Sequence, residues 1–229
     1  MKMKTLLMGV GLGALVSLSA LTGMAQTIVK PAEAAHANAA ALRRYEWKRR
    51  TEVQRKGETK NVQLVSVSYD VNGQVLTTPI SGTPEPDLPK FGLRKAIAEK
   101  KFKEFKETVR GLGELARSYS ELSPEQMQKF MASASMRLEL VGGRQLMRVD
   151  GSSVLHAGDS MTIWTDPATR KQQRVEIQTI FDDKLVRIVS EFKDLSAGGP
   201  TYMAVSRINY DDGSIAIITE NFDHQIARQ

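Results

Sequence analysis

The sequence predicts an α+β fold dominated by antiparallel sheet, and three observations carry that prediction. Period-two alternation runs through residues 45–77, it returns after Met136 and holds to the end of the chain, and between them lies one block of helical periodicity, 91–135. Runs of strands around a single helical insertion give a sheet with helices on one face rather than alternating βα units.

The first strand block opens with Tyr45, Trp47, Thr51 and Val53 on one side and Glu46, Lys48, Arg50 and Glu52 on the other, the pattern of a half-buried strand. Lys56-Gly57-Glu58 turns the chain into a second strand near Asn61 to Tyr69, and Asn72-Gly73, suited to a tight hairpin, leads to Val75 and Thr77. Pro79, Gly82, Pro84, Pro86 and Pro89 then mark a loop, because each proline lacks a ladder donor.

Ala98, Phe102, Phe105, Val109, Leu112, Ala116 and Tyr119 follow at steps of four and three, one apolar stripe along a helix. Gly111 and Gly113 interrupt it at about 1 kcal/mol each relative to alanine, so a break or a close backbone approach is expected there. Ser123-Pro124-Glu125-Gln126 has the form of a capping box and starts a second helix, with Met127, Phe130, Met131 and Ala134 facing inward. Strands are then expected over Arg137–Val141, Arg144–Asp150, Met161–Thr165, Arg174–Phe181, Leu185–Lys193, Thr201–Tyr210 and Ser214–Phe222. They are separated by turn-formers such as Gly142-Gly143, Asp182-Asp183 and Asp211-Asp212-Gly213.

The count is about ten strands and two helices. Ten strands about 4.8 Å apart span roughly 48 Å, whereas a helix shields a strip about 10 Å across. The sheet is therefore expected to curl into an unclosed half-barrel, its apolar concave face wrapping the two helices. The expected organisation is a signal peptide over residues 1–25, a linker or short helix over 26–44, and one β-rich domain over 45–229 carrying the helical insertion.

The signal is read from Lys2 and Lys4 followed by an uncharged apolar run, Leu6 to Leu21, which is short for a membrane span. Gly23 and Ala25 place cleavage after Ala25, with Ala32 to Ala35 as a second candidate. No cysteine is present, which excludes disulfides, thiolate metal sites and a lipid-attachment cysteine. A net charge of +6 would suggest nucleic acid, but an exported chain meets anionic envelope components instead. Nucleic acid is thereby excluded as a partner.

The run Met161-Thr162-Ile163-Trp164-Thr165-Asp166-Pro167-Ala168-Thr169-Arg170, with Arg174 to Ile177, Val186 to Phe192 and Gly199-Pro200-Thr201-Tyr202, resembles the closing strands of the LolA-like outer-membrane lipoprotein carrier superfamily. The resemblance covers about a third of the chain. It implies an unclosed half-barrel with helices in its mouth, and proteins that bind acyl chains or act as envelope sensors. The long basic helix and the proline-rich loop before it depart from the compact carrier.

Catalytic chemistry does not emerge. His36, His156 and His224 are scattered without a second ligand at metal spacing. Gly9, Gly11 and Gly13 lie inside the signal, and Ser160 in Gly158-Asp159-Ser160-Met161 lacks the second glycine of a nucleophile elbow. No metal and no cofactor is expected. Trp47 and Trp164 stand on alternating strands and, with Phe102 and Phe105, are the candidate lining of an apolar groove. Lys95, Lys100, Lys101, Lys103 and Lys106 are candidates for contact with an anionic surface. The functional expectation is an exported, non-enzymatic protein that binds a lipid or acyl chain in the half-barrel. The alternative is an envelope interaction or sensory module with a filled core and a protein partner.

Overall fold

The computed structural model describes residues 37–84, 89 and 91–227. The segment read as a signal peptide, both cleavage candidates, His36 and much of the segment read as a linker fall outside the described residues. The chain is seen first as a helical segment, α1, over residues 37–42, and then as three strands, β1 (Tyr45–Arg55), β2 (Glu58–Tyr69) and β3 (Val75–Gly82). Two helices follow, α2 (Gly92–Ser120) and α3 (Pro124–Ser133). Seven further strands complete the chain: β4 (Ser135–Val141), β5 (Arg144–Ser152), β6 (Ser160–Thr165), β7 (Gln172–Phe181), β8 (Lys184–Asp194), β9 (Thr201–Tyr210) and β10 (Ile215–Ile226).

All ten strands form one antiparallel sheet in the order β3-β2-β1-β10-β9-β8-β7-β6-β5-β4, unclosed, with β3 and β4 as its edges. This is the expected α+β half-barrel. Each step is a hairpin except the pairing of β1 with β10, which joins the front meander to the back one in register Val53↔Ile217 and Thr51↔Thr219. Residues directly opposite in an antiparallel pair share a face. The register Val53↔Ile217↔Ile208↔Ile188↔Ile177↔Met161 therefore draws one apolar row across six strands. That row and the helices enclose the core, in which Leu112 and Tyr119 of α2 and Phe130 of α3 are buried.

Pro79 corrects the sequence reading. It is no loop residue but pairs with Val65 inside β3, and the register skips Ile80. Proline is excluded from a central strand, yet an edge strand with a bulge accommodates it. The helix is continuous through both glycines. Of the two outcomes expected at Gly111 the structure takes the second: a Cβ there would lie 2.4 Å from Cζ of Phe181. The bare backbone lets α2 settle on β7. Gly113 meets nothing within 4 Å.

Cover by α2 is partial. Its second half supplies Leu112 and Tyr119 to the core, whereas its start projects, with Phe91 and Leu93 86% and 77% exposed and Ile97 exposed as well. Inner-face positions at the β4 edge are open too: Met136 opposite Val149, Leu138 opposite Met147, and Leu140 at 75% exposure.

Candidate functional site

The second half of α2 is pinned by a buried carboxylate. Asp159, 2% exposed, sits in the loop between β5 and β6 and accepts hydrogen bonds from the Tyr119 hydroxyl at 2.6 Å and from the backbone N–H groups of Val154, Leu155 and His156 at 2.6, 2.9 and 2.9 Å. The loop reaches this shape through positive φ at Ser153 and Gly158. Burial works to raise the pKa of Asp159, but the four donors prevail and hold it below the usual carboxylate value. Burial and the same carboxylate push the Tyr119 hydroxyl upward, keeping it protonated as a donor. On α3 the expected capping box is formed: the Gln126 backbone donates to Ser123 Oγ and the Ser123 backbone to Gln126 Oε1.

At the β1–β2–β10 side of the same face stands an aromatic group with a polar centre. Alternation from the core residue Val53 places Thr51, Arg49 and Trp47 of β1 on the inner face, beside Val65 and Val67 of β2, both buried. Trp47 stacks on His224 at 5.7 Å and 15° and meets Tyr69 at 5.6 Å, while Tyr202 lies 4.1 Å from His224. Asp223, at φ 58°, bulges β10 and brings His224 round to Trp47. Buried Asn221 orders the centre: Trp47 Nε1 and Arg49 Nε both donate to its Oδ1, at 2.9 and 3.1 Å, and its Nδ2 donates to the Met203 carbonyl. Burial lowers the pKa of His224 and of Arg49, so the imidazole is predominantly neutral at pH 7. α1 docks nearby through Asn38, which exchanges two hydrogen bonds with the Thr201 backbone.

The other predicted residues are dispersed. Trp164 is directly opposite Arg148 and Arg174 in the ladder, on the face away from the core residues Met161 and Ile163. It does not join Trp47 on the inner face. It is 6% exposed because the guanidinium carbons of Arg148 and Arg174 lie 5.0 and 5.8 Å from its ring. Phe105 is half-buried against the core with Arg55 over its ring at 5.5 Å. Phe102 stands apart from the core under Lys106, in a surface depression of about 280 Å³ shared with Glu99, Lys103, Glu107 and Arg110. The helix lysines are largely balanced: Lys95, Lys100 and Lys103 pair with Glu99, Glu104 and Glu107 at 3.7, 3.9 and 4.0 Å, and Lys101 is exposed.

The sequence reading did not find Arg49, Asn221, Tyr69, Tyr202 or His224 as a group, and weighed Asp159 only as part of a failed elbow motif. The one local signal for the group was Trp47. Among the described residues no three His, Asp or Glu side chains gather as metal ligands, and no helix is long and apolar enough to cross a membrane.

No family model and no curated protein matches the chain. Solved structures do. One is the LolA superfamily protein NE2245 from Nitrosomonas europaea, at 8% identity and TM-score 0.43 over 89% of this chain and 94% of that one. Another is a domain from Vibrio parahaemolyticus described as an outer membrane lipoprotein-sorting protein, at 11% identity and TM-score 0.45 over 86% of this chain and 92% of that one.

Proposed function

We propose that this is an exported, non-enzymatic protein that binds a lipid or acyl chain on the inner face of its half-barrel. The observation that carries the reading is apolar inner surface that α2 leaves open: Met136, Leu138 and Leu140 on β4, with Leu93 and Ile97 exposed on the projecting half of the helix. Burying an alkyl chain against such surface is worth roughly 0.8 kcal/mol per methylene, enough to offset the ordering of a flexible ligand. Export rests on the charged and apolar pattern at the amino terminus. A second reading, an envelope interaction module, is favoured by a different observation: Leu112, Tyr119 and Phe130 fill the middle of the sheet.

Native mass spectrometry and tryptophan fluorescence separate the two. Protein purified without detergent from its own envelope is expected to carry an adduct of lipid mass, and delipidated protein to rebind a fatty-acyl probe with a change in emission. Leu138→Asp, on the open inner face of β4, should abolish rebinding, and Trp164→Phe should leave it, since Trp164 lies on the outer face. A clean mass with no rebinding would reject the lipid reading and leave the interaction module.

A further inference from the structure

The edge strand β4 reads Ser135-Met136-Arg137-Leu138-Glu139-Leu140-Val141, with one charge of each sign placed symmetrically about Leu138 and an apolar residue beyond each. It pairs with β5 in unbroken register from Ser135↔Asp150 to Val141↔Arg144, and among the described residues no strand lies on its other side. Gly142 and Gly143, both at positive φ, form the two-residue turn between Val141 and Arg144. Such a turn closes on a hydrogen-bonded pair, after which hydrogen-bonded and non-hydrogen-bonded pairs alternate. Ser135, Arg137, Glu139 and Val141 therefore direct their backbone groups to β5, and Met136, Leu138 and Leu140 direct theirs to the open edge. No proline, lysine or bulge blunts it.

The charges fix what this edge accepts. Arg137 and Glu139 stand on the outer face, partly exposed, held within the chain by Asp150 and Arg148, each at 3.0 Å. A second β4 laid antiparallel on the first, Leu138 opposite Leu138, sets the Arg137 of each copy against the Glu139 of the other. The alternation of sign that begins at Asp150 and Arg137 then runs on across the seam to Glu139 and Arg148. Centring the pair on Arg137 or on Glu139 instead puts like charges directly opposite, which is destabilising. Centring it on Met136 or on Leu140 leaves only one end of each strand paired. The Leu138 register alone engages the whole of β4, and it does so through the three residues whose backbone groups are free, with about six hydrogen bonds. On the inner face it places Met136 beside Leu140 and Leu138 beside its own counterpart, side chains that are exposed in the single chain.

We infer that two copies of this chain pair β4 to β4 about a two-fold axis at Leu138, making one sheet continuous across both. The same patch serves on each side, as a closed two-fold interface requires. An edge-to-edge contact is at the small end of interface size, so the dimer is reversible and concentration-dependent. The inference goes beyond the lipid reading and does not rest on it: the inner faces meet at the seam, where Met136, Leu138 and Leu140 of both copies form one apolar strip.

Sedimentation velocity on the delipidated protein over a concentration series tests it, with a monomer–dimer equilibrium expected for the parent. Arg137→Glu leaves two acids in each strand and Glu139→Arg two bases, so each variant alone should associate at least about tenfold more weakly, and an equimolar mixture of the two should recover the parent's association. The chain has no cysteine, so introduced thiols read the register without touching the charges. Ser135→Cys mixed with Val141→Cys should form an intermolecular disulfide under mild oxidation, because the two positions face each other as a close, non-hydrogen-bonded pair. Either variant alone should link far less, since its two copies lie at opposite ends of the seam. If a charge variant melts below the parent, the cysteine pair decides. A protein that stays monomeric throughout would overturn the inference and leave the lipid reading standing. Association that the charge mixture fails to recover while both variants melt like the parent would overturn it too, as would cysteine variants that link as readily alone as together. A monomer whose β4, carrying a photo-reactive group at Leu140, links in its own envelope to a different protein would assign the edge to a foreign strand and overturn the second copy.

Discussion

Asp159 shows how one side chain decides where a helix lies. Its four donors come from two places far apart in the chain, the Tyr119 hydroxyl and three successive backbone N–H groups. Replacing it by asparagine swaps an oxygen for an N–H group aimed at donors, and Asp159→Asn should cost about 2–4 kcal/mol in urea melts. Tyr119→Phe should cost about 1.5–3 kcal/mol, the range for a hydrogen bond to a charged group. Because the folded carboxyl is held below its unfolded value, its contribution is complete above the ordinary aspartate range near pH 4 and is lost as pH falls through the lower folded value. Parent protein should lose stability over that window, and Asp159→Asn should show a shallower acid limb. At this scale the sequence is only partly legible. Trp47 could be placed because its companions alternate cleanly. Trp164 could not, because Met161, Ile163 and Trp164 are apolar on both parities and the deciding neighbours, Arg148 and Arg174, are cross-strand. The Arg49–Asn221 contact spans 172 residues and has no local trace.

Elements were legible where a period ran long enough to outvote local exceptions. The α2 stripe was visible over most of its length, and the strand alternation after Met136 locates all seven carboxy-terminal strands to within a few residues. What sequence could not say is which glycine in α2 matters. Gly111 lies against Phe181, and a methyl group there would force ring or helix to move. Gly113 is exposed and faces open space. Alanine should therefore have opposite signs two residues apart: Gly111→Ala destabilises by about 1–3 kcal/mol through overpacking, and Gly113→Ala stabilises by up to about 1 kcal/mol through helix propensity. Thermal unfolding of the two variants checks this, and Phe181→Leu should rescue most of the Gly111→Ala loss. Two alanines of equal effect would mean that α2 does not rest on β7 at Gly111. Pro79 was missed for a related reason. The rule against proline in sheets is a rule about central strands, and which strand is at the edge is decided by the whole topology.

At the scale of the molecule an unclosed sheet keeps two edges, and they are protected unequally. β3 carries Pro79 and a bulge at Ile80, both of which discourage another strand from pairing. β4 has neither, and exposes Met136, Leu138 and Leu140. Self-association at high concentration should run through β4: sedimentation velocity is expected to show it suppressed by Leu140→Lys and unaffected by Leu76→Lys. The joining of the two meanders has a different consequence. β1, the first strand among the described residues, lies inside the sheet, third from the β3 edge, against β10, the last of them, and the Ala227 N–H donates to the Arg44 carbonyl beside that seam. Neighbouring hairpins can close as soon as they are made, but the seam between them cannot. Until β10 arrives, β1 presents a bare hydrogen-bonding edge and an uncovered Val53, so the front three strands wait through the synthesis of everything else. A domain built this way is at its most vulnerable just before β10 is made, and a holding chaperone would have most to do in that interval.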